Sequence, residues 1–432
     1  MTFFETKMPA GWSWETISTR YRITKKPKGR IYSDFKTIPF VPMEAVPLNG
    51  REAVHFELRR PTDIASGTYF EKGDVLLSKI TPSFENGKQG LGDNIPAPFG
   101  VASTEIIPLQ AINPEANHRF LFFYLLHPEV RAALVGKMEG STGRQRVPEH
   151  AVRDVLIPMP PKPEQDKIAA VLWKVQRAIA VEDQLATTAR ELKQSTMRQL
   201  FTHGLRNESQ KETEIGLIPK TWNVCPVEEK REFLQYGTSA KCGYTKKGNP
   251  VIRIPNVMGG RVNCSDLKWC ELSEREIESL ALERGDILFI RTNGVRDRVG
   301  TCAVYEGQPE RALYASYLIR ARLRADELDP YFFQYFTATG PGLAQLGGRA
   351  SPAADGKFNV NTKTIDSVLV PIPEPDEQKE IAAILQTIDR KISVHERKRA
   401  VLSDLFQTLL NQLMTAQIRV DKLDIDTSEV TA

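Results

Sequence analysis

A phrase of fifteen residues occurs twice in this chain of 432 residues, 213 positions apart. It reads PMPPKPEQDKIAAVL at Pro158–Leu172 and PIPEPDEQKEIAAIL at Pro371–Leu385. The match runs without a gap when residues 156–206 are placed over residues 369–419, and about a third of this window is identical. An internal repeat restricts a fold strongly, because each copy must form an equivalent unit. The chain is therefore predicted to be an internal duplication.

Fainter matches extend the duplication upstream of the phrase. They pair EKGDVLLSKIT (Glu71–Thr81) with ERGDILFIRTN (Glu283–Asn293), FLFFYLL (Phe120–Leu126) with YFFQYFT (Tyr331–Thr337), and GRQRV (Gly143–Val147) with GKFNV (Gly356–Val360). Each half is thus a variable block followed by a more similar block. We predict globular domains at 1–157 and 207–370, each followed by a proline connector and a long helix at 158–206 and 371–419, and a disordered acidic tail at 420–432.

The repeated block predicts a long helix that begins after its prolines. Proline lacks the N–H donor and disfavours helix at the preceding residue, so the phrase should begin as a strand end and a stiff connector. Acidic residues follow at once, as suits a first helical turn. A helix of about 38 residues would be about 57 Å long, and Gly204 is a suitable C-terminal stop for the first copy.

An apolar 3/4 spacing runs along both helices and indicates a helix-pair seam. The predicted seam residues are Ile168, Leu172, Val175, Ile179 and Leu200 in the first copy and Ile381, Leu385, Ile388, Ile392, Leu402, Leu409 and Leu413 in the second. Charged residues interrupt it, namely Glu182 in one copy and His395 and Arg399 in the other. We expect the helices to pair antiparallel within the chain, with these charges near the centre. The alternative is that each helix packs separately on its own domain.

The variable blocks predict α+β (mixed α/β) domains. Short segments such as GDVLLSKI and GDILFIR are apolar or β-branched and end at Gly, Asp or Pro, which is typical of strands. HRFLFFYLLHPEVRAALVG and DPYFFQYFTATGPGLAQL have the composition of helices.

Polar residues cluster after the repeated Gly-Asp strand in both halves. Because Arg, Lys, Asn and Gln bind base edges and phosphates, these clusters are candidate DNA-binding residues. The candidates are Lys79, Thr81, Asn86, Lys88, Arg144, Gln145 and Arg146 in the first half, and Arg291, Thr292, Asn293, Arg296, Arg298, Lys357 and Asn359 in the second. The basic loop KCGYTKKGN (Lys241–Asn249) adds Lys246 and Lys247. Any one cluster alone fits a solvated loop better than a binding site. Their recurrence at matched positions of the two halves makes the two interpretations equal.

The sequence contains no catalytic constellation that we can identify. A P-loop and an H-E-x-x-H motif are absent, and GPGLAQLGG lacks the third glycine of a dinucleotide-binding loop. Pro375-Asp376 adjoins Glu377-Gln378-Lys379 without the spacer that a nuclease motif needs. The five cysteines are odd in number and form no Cys-x-x-Cys pair, so we expect reduced thiols and no zinc site.

Composition permits nucleic-acid binding but does not require it. The net charge is only +4, so local patches must decide. Hydrophobic residues make up 41% and charged residues 26%, which is typical of a soluble globular protein. The N-terminus shows no basic region followed by an apolar one, so we expect no signal peptide and a cytoplasmic protein.

These motifs together resemble the DNA-sequence-specificity subunit of type I restriction–modification systems. The resemblance covers about residues 8–415, and its carriers are the two repeated phrases, GDVLLSKITPSFENGK, STE (Ser103–Glu105), GSTGRQRVP, GDILFIRTNG, VGTCAVYEG and NVNTKTIDSVLVPIP. It implies two target-recognition domains that each read one half of a split DNA site. It also implies two antiparallel spacer helices that set the distance between the half-sites.

The same resemblance implies partners and cofactors. The helices would dock two methyltransferase (modification) subunits, which methylate adenine, and restriction/translocase subunits would join that core. S-adenosylmethionine, ATP and Mg are then expected on the partner subunits, with no cofactor in this chain and a bacterial or archaeal host. The lack of catalytic motifs fits a subunit that only directs the others. A duplicated protein-interaction scaffold without sequence-specific DNA binding is the alternative, and an unrecognised enzyme is a third.

Overall fold

A computed structural model describes residues 3–48, 54–141, 143–353 and 356–430. The chain forms two compact units. Unit 1 comprises Met1–Leu185 and Val394–Ala432, and unit 2 comprises Ala186–Ser393. Each of the two long helices therefore contributes one half to each unit.

Unit 1 is a mixed helix-and-sheet unit. Its strands are β1 (Ser13–Thr16), β2 (Tyr21–Ile23), β3 (Ile38–Val41), β4 (Glu57–Arg59), β5 (Thr68–Glu71), β6 (Val75–Ser78), β7 (Gln89–Leu91), β8 (Phe99–Ala102), β9 (Ile106–Ala111) and β10 (Leu156–Met159). Its helices are α1 (Ile17–Arg20), α2 (His118–Tyr124), α3 (Pro128–Val135), α4 (Glu149–Asp154) and the first half of α5 (Lys162–His203). The strands form sheets in the orders β2-β9-β6-β7, β4-β3-β8-β5 and β1-β10.

Unit 2 repeats this plan with additional small sheets. Its strands are β11 (Gln210–Thr213), β12 (Gly216–Pro219), β13 (Asn223–Pro226), β14 (Arg231–Tyr236), β15 (Asn249–Ile252), β16 (Val257–Met258), β17 (Gly260–Val262), β18 (Lys268–Cys270), β19 (Ile287–Ile290), β20 (Thr292–Asn293), β21 (Cys302–Val304), β22 (Leu313–Tyr314), β23 (Leu318–Leu323), β24 (Ser351–Pro352), β25 (Phe358–Asn359) and β26 (Leu369–Ile372). Its helices are α6 (Glu274–Leu280), α7 (Pro330–Thr337), α8 (Gly340–Gln345), α9 (Thr362–Asp366) and the first half of α10 (Pro375–Met414).

Sheet order in unit 2 follows that of unit 1. The main sheet is ordered β14-β23-β19-β21-β17-β16, beside β13-β26, β18-β15-β22, β20-β25-β24 and β11-β12.

The two units share strand register, which confirms the predicted duplication. Val75 pairs with Leu109 in unit 1, and Ile287 pairs with Ala321 in unit 2. Both members of the second pair lie 212 residues after those of the first. Likewise the pair of β1 and β10 in unit 1 is matched by the pair of β13 and β26 in unit 2. The mixed α/β class is confirmed as well.

Both repeated phrases begin in a strand and continue as a helix, as their prolines predict. β10 ends at Met159 and α5 begins at Lys162, while β26 ends at Ile372 and α10 begins at Pro375. α5 has 42 residues and α10 has 40. α5 ends at His203, and Gly204 follows with a φ of 68°, in the left-handed region that glycine enters at little cost.

The long helices run antiparallel to each other within each unit. In unit 1, Glu182 of α5 bonds to His395 of α10 at 2.6 Å, and Glu164 near the start of α5 bonds to Arg419 just beyond the end of α10. In unit 2, Lys193 pairs with Asp389 at 2.7 Å. The predicted antiparallel pairing is therefore confirmed, and Glu182 and His395 meet as expected. Arg399 pairs with Asp183 rather than with Glu182.

The seam residues lie in the cores of the two units. The unit 1 core includes Ile168, Leu172 and Leu413 as buried residues, with Val175, Ile179 and Leu409 packed against it. The unit 2 core includes Leu200, Ile381, Leu385 and Ile388, with Ile392 packed against it. Leu402 is half-buried. The helix halves thus bury one side against each other and another against the sheets.

The acidic tail makes defined contacts over residues 420–430, in contrast with the disorder expected from its composition. Val420 and Val430 are buried in the unit 1 core. Glu429 bonds to Trp173 and Arg177 of α5, at 3.0 and 2.7 Å. Val420, Ile425 and Val430 pack on the core, and Asn117, Arg119 and Lys167 donate to carbonyls of the segment. These partners are remote in the chain, and composition does not reveal them. Residues 431 and 432 lie outside the described residues.

Helices long and apolar enough to cross a membrane do not occur in the described parts of the chain.

Candidate nucleic-acid interface

A Glu-Gln pair anchors each long helix to its sheet. Gln165 is buried; it accepts from Asn117 N–H and donates to the carbonyl oxygens of Glu115 and Pro160. Gln378 is buried as well, and repeats these three bonds in unit 2 with Asp329 N–H and the carbonyls of Glu327 and Pro373.

The glutamate preceding each glutamine completes the anchor. Glu164 accepts from the indole N–H of Trp12 at 2.9 Å, and Glu377 accepts from that of Trp222 at 3.2 Å. Every bond of the pair is internal to its unit, so the Glu-Gln pair fixes the angle at which the helix leaves the strand.

A Gly-Asp turn positions the strand that leads to each polar cluster. Gly73 and Gly285 have φ of 92° and 96°, which a side chain would strain. Asp74 and Asp286 then accept hydrogen bonds from the backbone N–H groups three residues earlier, at 2.9 and 2.8 Å. Both carboxylates are buried. Burial raises the pKa of Asp74 to about 6.

In unit 1, two loops distant in sequence form the polar cluster side by side. Thr81 N–H donates to the Gln145 carbonyl at 2.9 Å, and Val147 N–H donates to the Lys79 carbonyl at 2.8 Å. An isolated β-bridge joins Ile80 to Arg146. The structure thus brings the predicted group at residues 79–88 together with the predicted group at residues 144–146.

Several of the unit 1 candidates already have protein partners. Arg146 forms an ion pair with Glu105 at 2.7 Å, and its guanidinium lowers the pKa of that carboxyl. Lys88 Nζ donates to the Met43 carbonyl at 2.7 Å, and Thr81 Oγ1 donates to Glu85 at 2.8 Å. An arginine held by a carboxylate must give up that partner before it binds a phosphate.

The exposed unit 1 candidates are Asn86, Arg144 and Arg146, of which Arg146 is paired with Glu105. Asn86 also lines a groove of about 1040 Å³, which α3, α5 and α10 border within unit 1. Lys79 and Gln145 are half-buried. Asn86 and Arg144 are therefore the side chains of this cluster best placed to meet an external anion or base edge.

Unit 2 repeats the loop arrangement with different side chains. Thr292 pairs with Asn359, the positions that correspond to Ile80 and Arg146. Val360 N–H donates to the Arg291 carbonyl at 2.9 Å, as Val147 does to Lys79. The predicted groups at residues 291–298 and 357–359 are thus brought together, with Asn293 opposite Phe358.

The arginines of the unit 2 cluster differ in how firmly they are held. Arg296 donates to the carbonyls of Gly347 and Gly348, at 3.2 and 2.7 Å. Arg291 is half-buried, and its guanidinium lies 4.8 Å from the ring centre of Tyr236. Arg298 and Lys357 are exposed.

Lys246 and Lys247 occupy a separate exposed loop, between β14 and β15. DNA contact by all these residues stays a prediction.

The residues predicted from the sequence to bind DNA do not include two exposed tyrosines that lie beside the unit 2 cations. Tyr236 is 39% exposed and Tyr317 is 57% exposed, and the Tyr317 carbonyl accepts from Arg291 N–H at 3.0 Å. Aromatic rings beside arginine can stack on bases. In the sequence they are marked only as aromatic residues near strand ends. A buried core residue has the same mark, so the sequence does not distinguish the two.

Within the described residues, no group of three or more His, Cys, Asp or Glu side chains is arranged to hold a metal ion.

Comparisons with known proteins match both halves of the chain. The sequence model of the family described as "Type I restriction modification DNA specificity domain" matches residues 28–189 and 219–403. The type I restriction enzyme EcoEI specificity subunit of Escherichia coli is 24% identical, over 94% of this chain and 82% of that protein. The EcoKI specificity subunit of Escherichia coli strain K12 is 29% identical, over 64% of this chain and 61% of that protein.

Solved structures show the same fold. The type I restriction-modification system S subunit from M. genitalium is 16% identical, with a TM-score of 0.58 over 94% of this chain and 97% of that one. A chain from a study of complex assembly and conformational transition of the type I R-M system is 18% identical, with a TM-score of 0.52 over 95% of this chain and the whole of that one.

Proposed function

This chain belongs to the type I restriction modification DNA specificity family, and on that premise we propose that it is the non-catalytic subunit that selects the DNA sequence for a restriction–modification complex. Unit 1 reads one half of a split site and unit 2 reads the other. Family membership favours this function over the protein-interaction scaffold, because the matched domains are DNA specificity domains.

The observation that carries the proposal is the duplicated pair of loops at the end of an equivalent strand. The Ile80–Arg146 bridge and the Thr292–Asn359 pair occupy corresponding places in units of the same fold. A surface built twice on one scaffold suits a ligand that presents two binding segments, as a duplex with two half-sites does.

The differing side chains of the two clusters favour different half-sites. Unit 1 offers Asn86 and Arg144, whereas unit 2 offers Arg291, Arg298 and Lys357. Asn pairs preferentially with adenine and Arg with guanine through bidentate bonds, and both also contact phosphates. The proposed target is therefore asymmetric.

The partners follow from the family. We propose that the helix pair carries two methyltransferase subunits, to which restriction/translocase subunits are added. S-adenosylmethionine, ATP and Mg would be bound by those partners, and this chain would supply the sequence specificity. Methylation of an adenine requires that the base leave the stack. The recognition loops must therefore contact the duplex on either side of the target adenine and leave that base accessible.

A binding experiment with the purified complex of this chain and its modification subunits tests the proposal. Selection from a pool of random duplexes should enrich one bipartite motif with a fixed spacer. Binding to that motif should persist with competitor DNA and should weaken steeply with salt, by about one power of salt concentration for each phosphate contact. Enrichment of unrelated sequences, or equal binding to every duplex, would contradict the proposal.

A further inference from the structure

Two cysteines of unit 2 lie opposite each other across neighbouring backbone segments. An isolated β-bridge pairs Gly243 with Trp269, and each donates its N–H to the other's carbonyl, at 3.0 and 2.8 Å. In antiparallel pairing the next residues outward are Cys242 and Cys270. The position next to a hydrogen-bonded pair is a non-hydrogen-bonded one, at which Cα atoms are expected about 4.5 Å apart with side chains on the same face.

The two side chains share one small apolar cluster. Cys270 is buried there with Val251, Ile277 and Leu313, and Cys242 packs against them. The Cys242 thiol donates to the Ala240 carbonyl at 3.3 Å. Burial, followed by the nearby Cys242 thiol, raises the pKa of Cys270 to about 12. The expected Cα separation falls inside the range of about 4.4–6.8 Å that a disulfide spans.

Cys242 lies near the start of a basic loop, residues 241–248, and Cys270 lies beside the end of that loop. After Cys242 the chain turns through this loop and returns as β15, where Asn249 pairs with Cys270 from the other side. The loop carries Lys246 and Lys247, both exposed. The segment before it is held at one point, where Thr238 pairs with Ala315. A covalent bond at Cys242 would therefore reinforce the Gly243–Trp269 bridge, which holds the entry of the loop to β18.

We propose that Cys242 and Cys270 form a redox pair whose disulfide restrains the basic loop. The oxidant is a low-molecular-weight disulfide. The Cys242 thiolate attacks one of its sulfurs, which forms a mixed disulfide and releases one small thiol. The Cys270 thiolate then attacks Sγ of Cys242 and displaces the second small thiol. Two protein thiols are oxidised, one small disulfide is reduced to two thiols, and excess small thiol reverses the reaction.

The order of attack follows from exposure and basicity. Cys242 is half-buried and reachable, whereas Cys270 is buried and burial raises the pKa of its thiol to about 12. The second step should therefore be the slow one and should accelerate as pH rises, because only the thiolate attacks. Pairs of this kind in reducing compartments are commonly reversible.

Mass spectrometry of the full-length chain tests the proposal. The folded protein is equilibrated with mixtures of oxidised and reduced glutathione, alkylated and digested. We expect a peptide linked through Cys242 and Cys270, with Cys225, Cys264 and Cys302 alkylated. Cys264→Ser is the matched control, since Cys264 is an exposed thiol of the same unit and its loss should change nothing. Cys242→Ser should abolish the link.

Limited proteolysis supplies the second readout. Trypsin cleavage after Lys246 and Lys247 should be about tenfold slower in the oxidised chain, and a reductant should restore it, because cleavage requires local opening of the loop. A persistent glutathione adduct on Cys242 without the link, or a link that leaves cleavage unchanged, would overturn the proposal.

The consequence for DNA rests on the proposed function. If the basic loop contacts DNA, oxidation should change binding to the half-site of unit 2 only. A chain that forms the link but binds no specific DNA in either redox state would contradict the proposed function and leave the redox pair standing.

Discussion

At the scale of single residues, the Glu-Gln pair of the repeated phrase has a structural role that the sequence left open. Gln165 and Gln378 each make three hydrogen bonds within their own units. A buried amide that bonds to backbone groups of its own unit orients the helix. A residue that docks another subunit would instead be exposed. The sequence predicts that these residues matter because they recur. It does not identify their partners, since two of the three for each glutamine lie about 50 positions away.

Removing one glutamine amide should destabilise unit 2. Gln378→Ala leaves Asp329 N–H and two carbonyls without their partner, and each buried unpaired group costs about 1–3 kcal/mol. The variant should show faster hydrogen exchange in α7 and the start of α10. Gln199→Ala, at an exposed position of α5, is the control and should change stability by less than about 0.5 kcal/mol. Equal protection in both variants would contradict the anchoring role.

Asp74 should make the stability of unit 1 depend on pH in the acidic range. Its folded-state pKa of about 6 lies above the unfolded value of 3.8, because burial disfavours the charge. The folded state thus holds the proton more tightly, and the free energy of unfolding falls as pH rises from about 4 to about 6. Asp74→Asn should remove that fall. The free energy of unfolding of the variant, relative to that of the native chain, should therefore increase by about 2–3 kcal/mol from pH 4 to pH 6.

Denaturant titrations at pH 4, 5, 6 and 7 measure this difference. Asp286→Asn is the contrasting variant, because the Asp286 carboxylate is paired with Arg322 at 2.8 Å and its neutralisation removes an ion pair. That variant should lose stability at neutral pH. A constant difference between Asp74→Asn and the native chain at every pH would show that Asp74 keeps its ordinary pKa.

At the scale of elements, the helices were the most predictable part of the structure. Hydrophobic spacing, prolines and Gly204 locate both helices to within a few residues, since these signals are local. The small sheets of unit 2, such as β18-β15-β22, could not be predicted, because their strands have two to four residues and pair across long stretches of chain. The contacts of the tail depend on remote partners in the same way.

Lengthening both helices tests whether they set the spacing between half-sites. Four residues inserted after Gln184 and four after Ser393, where α10 passes from unit 2 to unit 1, add about 6 Å to each helix and slightly more than a whole turn. With about 3.4 Å per base pair, the preferred spacer should grow by about two base pairs. Selection from random duplexes measures it.

An insertion in α5 alone is the control for this experiment. It leaves Glu182 and Asp183 beside His395 and Arg399 but moves Lys193 out of register with Asp389, so these ion pairs cannot all persist. That variant should lose stability without acquiring a defined longer spacer. A change in the half-sites with an unchanged spacer in the double insertion would contradict the spacer role.

At the scale of the whole molecule, the duplication could be predicted from the sequence. The surface formed by the polar clusters of the two units could be predicted only in part. The offset between copies predicts two like units, and the shared register bears this out. Sequence also places cations after β6 and β19. It does not reveal that Arg146 is held by Glu105 or Arg296 by two glycine carbonyls, since those partners lie more than 40 positions away.

The central claim, that each unit reads its own half of the target, is tested most directly by sequencing methylated DNA. Cells without other methyltransferases would express the modification subunits with the native chain, with Arg144→Ala, with Arg291→Ala, or with the control Arg275→Ala at an exposed position of α6. We predict one bipartite motif for the native chain and the control. Arg144→Ala should relax one half of the motif and Arg291→Ala the other, by about 1–3 kcal/mol of discrimination each. Methylation that does not depend on this chain, or relaxation of the same half by both variants, would contradict the account.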